Sequence, residues 1–247
     1  MEITGRAALI TGGRRIGAAV AVHLAAHGAD VAIAYNRSQD EAEATAARAR
    51  ESGRLGVTIQ ADLSDAAQCQ RLVDEAAARL GRLDFLINMA SVYRAVPLAA
   101  TDAAAWDAVV NVDLRAAFLC AQAAIPHMRR GGAGGRIINF SDWIAASGRP
   151  RYAGFLPYYV AKRGVLGLTE ALALELAKDQ ILVNAIAPGP ILAPPETSDE
   201  ESAAVEAATP LGHWGGEAEI VKAVSFLIES DFVTGETIRV DGGRHIR

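Results

Sequence analysis

Short apolar runs alternate with longer alanine-rich segments along most of the chain. Strand-like runs fall at 7–10, 31–35, 57–60, 85–88, 136–140, 182–187 and 237–240. Between them, apolar positions recur with helical spacing over 16–27, 39–52, 66–80, 103–129 and 157–177. Parallel strands need a covering crossover between each pair, so this alternation predicts an α/β fold. A single doubly wound domain over 1–247 is expected, with a seven-stranded, mostly parallel sheet and helices on both faces. One break interrupts the rhythm: residues 188–195 are proline-rich and 196–206 acidic. The excursion at about 189–215 reads either as a lid over a cleft or as a plain surface loop.

Composition narrows the function classes. About half of the 247 residues (51%) are apolar, enough for a sizeable core, yet no run of 18 apolar residues suggests a membrane span. The net charge of −5 is spread without a basic stripe, which argues against nucleic acid. The start lacks the layout of a signal peptide, and Cys69 and Cys120 lack metal-ligand spacing. A cytoplasmic protein with reduced, buried thiols, no metal and a small-molecule substrate is expected.

The candidate chemistry begins at Thr11-Gly-Gly-Arg-Arg-Ile-Gly17, between the first strand and the first helix. Glycines let backbone approach a pyrophosphate, and a helix N-terminus offers unpaired N–H groups, the Rossmann-type arrangement for a dinucleotide. The second strand ends in Tyr35-Asn36-Arg37-Ser38, without the acid that would bind a ribose diol; Asp30 lies at its opposite end. Arg37, with Arg14 or Arg15, could meet a 2′-phosphate, so NADP(H) is expected over NAD. Ser38 has a second reading, a capping box with Glu41. Far downstream, Tyr158 and Lys162 stand four residues apart and share one helix face. An ammonium beside a phenol favours the phenolate, which would move this proton donor towards working pH.

Six motifs in one order make the chain resemble the classical short-chain dehydrogenases/reductases over its whole length. They are the glycine turn, Asp62-Leu63, Asn88-Met-Ala-Ser91, Asn111, Tyr158 with Lys162, and Pro188-Gly189. Within that family the chain looks most like the pteridine and dihydromonapterin reductases: Arg15 stands where most relatives have glycine. The resemblance implies Tyr158 as proton donor, with Lys162 lowering its pKa and binding the nicotinamide ribose. Asn111 would hold a relay water for Lys162, unless it only bonds backbone in its helix. Asp62 would contact adenine, or cap the following helix, and Asn88 would lie at the adenosine ribose. Gly12, Arg14, Arg15, Ile16, Asn36, Arg37, Ser38, Leu63, Ala90, Ser91, Pro188, Gly189 and Ile191 complete the implied cofactor contacts. A homo-oligomer, with a tetramer favoured over a dimer, is implied too; the alanine-rich helices at 103–129 and 157–177 suit subunit packing, and Arg247 is a candidate contact.

Three departures matter. The glycine turn is one residue short. The family's serine is replaced, with Asp142 best aligned to it and Ser141 beside it. Asp142 and Tyr158 are 16 positions apart, about three more than usual, which suggests an insertion within 145–152. An aspartate suits a substrate bearing N–H donors, so reduction of a C=N or C=O bond, pteridine-reductase-like, is the leading expectation. A ketoacyl-thioester or general ketone reductase is the alternative, and a non-catalytic NADP-binding protein a third. Trp143, Phe155 and Tyr159 would stack on a flat substrate or pack the interior; Trp214 falls within the excursion.

Overall fold

The computed structural model describes residues 1–246. Arg247, a candidate subunit contact, lies outside the described residues. Seven strands form one sheet: β1 (Ala7–Thr11), β2 (Asp30–Tyr35), β3 (Gly56–Gln60), β4 (Phe85–Asn88), β5 (Gly135–Phe140), β6 (Ile181–Pro188) and β7 (Thr237–Val240). Their order is β3-β2-β1-β4-β5-β6-β7, and every pairing is parallel. β2 begins one residue earlier than the apolar run, because the Asp30 carboxylate accepts from Leu55 N–H and pairs with Arg54.

Successive strand residues point to opposite faces, and the two cores divide accordingly. Leu9, Leu86, Ile137 and Val183 pack beneath α3 (Ala66–Leu80), α5 (Ala116–Gly131) and α7 (Leu156–Leu176). Ile10, Ile87, Ile138 and Ile186 pack beneath α1 (Ile16–Ala26), α2 (Gln39–Glu51) and α9 (Glu217–Glu229). Both sheet faces are thus apolar, which is why the strands read as continuous runs and not as alternating ones.

The helix expected over 103–129 is divided. α4 (Ala103–Val110) leads through a wide π-helical turn, 111–115, into α5. The run Ala103–Gly131 is apolar and long enough to cross a membrane on composition alone. Here α5 packs against α3 and the sheet, so its buried alanines and Cys120 account for that character. A polar ladder crosses this layer. Asn88 Nδ2 donates to Asn139 Oδ1 (3.0 Å), and Asn139 Nδ2 donates to Thr169 Oγ1 (3.0 Å), all three residues buried. It joins β4 and β5 to α7 directly below the site.

The chain runs outward from β1 to β3 and returns to start β4 on the other side of β1. A crevice therefore opens beyond the carboxyl ends of β1 and β4. Thr11 fastens the two ends there, its hydroxyl accepting from Met89 N–H (3.0 Å) and Ala90 N–H (3.2 Å).

Candidate active site

The glycine turn is shaped for close approach. Gly12 has φ +80°, and a Cβ there would come within 3.1 Å of the Met89–Ala90 backbone. A Cβ on Gly17 would lie 2.1 Å from the Gly12 carbonyl oxygen. The shortened turn is closed by Arg15, which itself adopts φ +48°, a region that side chains avoid. A cleft of about 580 Å³ runs from this turn past Asn36, Asp62 and Ala90 to Tyr158, Lys162 and Pro188. Its narrow floor is backbone and glycine, the form that a dinucleotide needs.

Most of the expected cofactor residues line that cleft, including Arg14, Arg15, Ile16, Ser38, Leu63, Ser91 and Gly189. Arg37 stands exposed beside Asn36 at the end of β2. The Ser38 capping box does not form: Ser38 makes no side-chain cap, and Glu41 pairs instead with Arg14 (3.4 Å). Asp62 does not cap α3, since Asp65 does so; Asp62 Oδ1 accepts from the Ser64 N–H and hydroxyl. Asn88 needs correction too. Its amide is buried in the polar ladder and also donates to Ala117 O (3.3 Å), so it faces the interior and not a ribose. Ile191 is buried and lines the neighbouring cleft.

Tyr158 and Lys162 do share one face of α7, which starts with Pro157 in its first turn, where a missing N–H costs nothing. The Tyr158 hydroxyl donates to Asp142 Oδ2 at 2.8 Å. Asp142 Oδ1 accepts from Ile144 N–H, capping the short helix α6 (Trp143–Ala146). Asp142 thus occupies the place expected of a serine. Ser141 is turned away, its hydroxyl donating to Lys162 O (2.8 Å) from a buried position. Despite the longer spacing, the aspartate is not displaced from Tyr158; residues 150–156 wall an adjoining apolar pocket of about 480 Å³.

Lys162 Nζ donates to Phe140 O (2.9 Å) and pairs with Asp113 Oδ1 (3.2 Å). Asn111 makes no direct bond to Lys162 among the described residues, which leaves the relay water expected of it untouched; its Oδ1 accepts from Arg115 (3.1 Å) within the π turn. Asp113, two residues on, is the polar group beside Lys162 and was missed in the sequence. A charged residue inside an otherwise apolar helical run was the available signal, since such a residue is buried only with a partner.

The acidity expected of Tyr158 is also corrected. Burial, then the charge and hydrogen bond of Asp142, then Asp113 and Tyr93, push its phenol well above the ordinary tyrosine value. Lys162 Nζ sits 5.6 Å from the ring centroid and does not offset these. Burial likewise raises the Asp142 carboxyl, against the opposing Ile144 N–H, Tyr158 and Lys162.

A second cleft of about 760 Å³ meets the first at Arg15, Asp142, Tyr158 and Pro188. Its far wall is the excursion after β6, which carries α8 (Asp199–Ala207). Ser198 and Glu201 form the capping box of α8. Gly215 N–H donates to Pro190 O and Gly216 N–H to Ile191 O, both at 2.9 Å, pinching the base of the excursion into a neck. Arg15 Nη2 bridges from the glycine turn to Ala193 O (2.6 Å). Trp143 lies between Arg151 (5.4 Å) and Arg244 (5.2 Å), while Trp214 Nε1 donates to Ser202. Phe155 stacks on Tyr93 with centroids 4.8 Å apart, and Tyr93 meets the Tyr158 ring edge-on.

The family model described as enoyl-(acyl carrier protein) reductase matches residues 11–245. The 3-oxoacyl-[acyl-carrier-protein] reductase FabG of Staphylococcus aureus is 36% identical over 251 residues, covering 100% of both chains. The short-chain reductase protein NovJ of Streptomyces niveus is 39% identical, over 96% of this chain and 93% of its own. Among solved structures, a short-chain dehydrogenase from Burkholderia cenocepacia in complex with NADP superposes with a TM-score of 0.91 at 34% identity, covering 99% of each chain. The chain belongs to the short-chain dehydrogenase/reductase family.

Proposed function

We propose that the protein is an NADPH-dependent reductase of an activated ketone, with a 3-oxoacyl thioester as the substrate class. The observation that carries this reading is the position of the Tyr158 hydroxyl, on the boundary between the two clefts and bonded to Asp142. The glycine cradle fits a dinucleotide, and the end of β2 offers Asn36, Arg37 and Ser38 with no carboxylate, which suits a 2′-phosphate. NADPH, when bound, supplies the hydride. Lys162 would hold the ribose through an N–H that Phe140 O does not take. Tyr158 would give its proton to the oxygen as charge develops there. A raised Asp142 keeps its own proton to higher pH, and in that form it supports the phenol as a donor and does not repel an oxyanion. The 3-oxoacyl class is supported by the relatives' named activity and by the apolar pocket beside Tyr158, which suits an acyl chain.

A second reading, reduction of a C=N bond in a pterin, is favoured by one feature: Asp142 in the serine's place could accept from ring N–H groups. The discriminating experiment follows NADPH consumption with acetoacetyl thioesters and with dihydropterins side by side. Faster turnover of the thioester supports the first reading, and turnover of the dihydropterin alone replaces it with the second. Tight NADPH binding without turnover on either would indicate a non-catalytic binding protein. Exposed Phe118 on α5 and Leu174 on α7 support a homo-oligomer, a tetramer being favoured, which sedimentation would test.

A further inference from the structure

The side chain of Asp113 is fully buried (0% exposed) and that of Lys162 nearly so (3%). A buried carboxylate is costly unless it is paired and hydrogen-bonded, and here both oxygens have partners, drawn from two other elements. Asp113 Oδ1 accepts from the Ser91 hydroxyl and faces Lys162 Nζ at 3.2 Å, while Oδ2 accepts from Val92 N–H at 2.8 Å. The carboxylate stands on the π turn between α4 and α5, Lys162 on α7, and Ser91–Val92 on the loop after β4. Ser91, Val92 and Lys162 all line the cofactor cleft, whereas Asp113 does not. It therefore acts through the groups it holds.

An ammonium has three N–H donors. Phe140 O takes one, and Asp113 lies against the same ammonium as its ion-pair partner at 3.2 Å. We propose that Asp113 is a positioning residue that serves as the buried counter-ion of Lys162 and locks this cation to the Ser91–Val92 turn, so that both walls of the cleft are set together. This rests on the reductase reading, which assigns the cofactor to that cleft. The other titratable groups facing Lys162 and Tyr158 are Asp142, from the turn after β5, and Tyr93, from the loop after β4. Asp142 bonds Tyr158, so among the described residues only Asp113 is in ion-pair contact with the ammonium.

The test is NADPH affinity against pH, read by fluorescence titration without any substrate, for the wild type and for Asp113→Asn, Asp113→Glu and Ser91→Ala. Wild-type affinity should stay level from neutrality across the alkaline range in which the fold persists. In Asp113→Asn the buried ammonium has lost its counter-ion and releases its proton earlier. Affinity should then fall with rising pH, by up to about tenfold per pH unit, over a range in which the wild type stays level. Asp113→Glu should move the fall back towards the wild type. Ser91→Ala removes the tie but not the charge and should weaken binding evenly across pH. A wild-type and an Asp113→Asn protein with parallel pH dependence overturn the proposal. Should Asp113→Asn not fold, wild-type affinity that already declines from neutrality overturns it just as well. A wild type that binds no NADPH at any pH instead overturns the cofactor assignment, and this proposal with it.

Discussion

Tyr158 donates its hydroxyl proton to Asp142, 2.8 Å away, and the two groups share surroundings that disfavour charge on either. Burial is the largest cause for each, and both groups hold their protons more firmly than a free phenol and a free carboxyl do. Proton donation to a reduced carbonyl needs the phenol protonated, so the arrangement extends the pH range over which the reductive step is supplied.

Replacing Tyr158 with phenylalanine removes the donor and keeps the ring against Tyr93. Turnover should fall by roughly 10²–10⁴-fold, the usual worth of a general acid, while NADPH still binds. Retention of full rate would show that another group gives the proton.

Asp142 has a stability signature. Its folded pKa is raised, so the folded state binds more protons than the unfolded chain at pH above ~3.9, the ordinary aspartate value. Stability contributed by this residue is therefore lost as pH rises through the window between the unfolded and folded values. Asp142→Asn should melt at a higher temperature than the wild type near neutral pH, with the gap closing below ~3.9. A lower melting temperature at neutrality would mean that the carboxylate is stabilised by contacts worth more than its desolvation.

Arg15 holds a left-handed backbone conformation and reaches Ala193 O across the mouth of the clefts. Arg15→Gly should relieve strain of order 1 kcal/mol and leave the melting temperature level or raised. KM for NADPH and for the ketone should both rise, because the bridge to the excursion is gone. An unchanged pair of KM values would assign the arginine no part in either cleft.

Arg244 Nη1 donates to Val205 O (2.8 Å) and Thr209 Oγ1 (3.2 Å) while its guanidinium lies over Trp143. Arg244→Ala should loosen α8 and raise KM for the ketone several-fold, with NADPH affinity unaffected. Hydrogen exchange across 199–207 should quicken in parallel; protection equal to the wild type would remove the proposed link.

Gly17→Ala would place a methyl group 2.1 Å from the Gly12 carbonyl oxygen, where backbone must shift. Loss of NADPH binding is expected at a temperature where circular dichroism still reports a folded sheet.

The strands were legible because both faces of a parallel sheet are buried, and all seven apolar runs became strands. β1, β2, β3, β5 and β6 gained end residues where backbone pairing carried on past the apolar run, as where Asp30 N–H donates to Arg6 O. The face of α7 that carries Tyr158 and Lys162 followed from a spacing of four. The partner of Lys162 did not. A wide π turn changes which residue of 111–115 points inward, and a reading tuned to an asparagine stopped at Asn111, two short of Asp113. The sign of the Tyr158 shift was also beyond the sequence. A lysine four residues away is visible there, whereas burial and two carboxylates from distant segments are products of the fold. The capping box went to Ser198 and not to Ser38, because Arg14 drew Glu41 across to the glycine turn.

The paired bonds of Gly215 to Pro190 and Gly216 to Ile191 return the chain, after its long detour, almost to the point where it left. A segment anchored in this way can be exchanged or lengthened with little strain on the strands beneath. Substrate preference in such a molecule can drift by replacement of a cassette, while the proton donor and its supports stay where the sheet has put them.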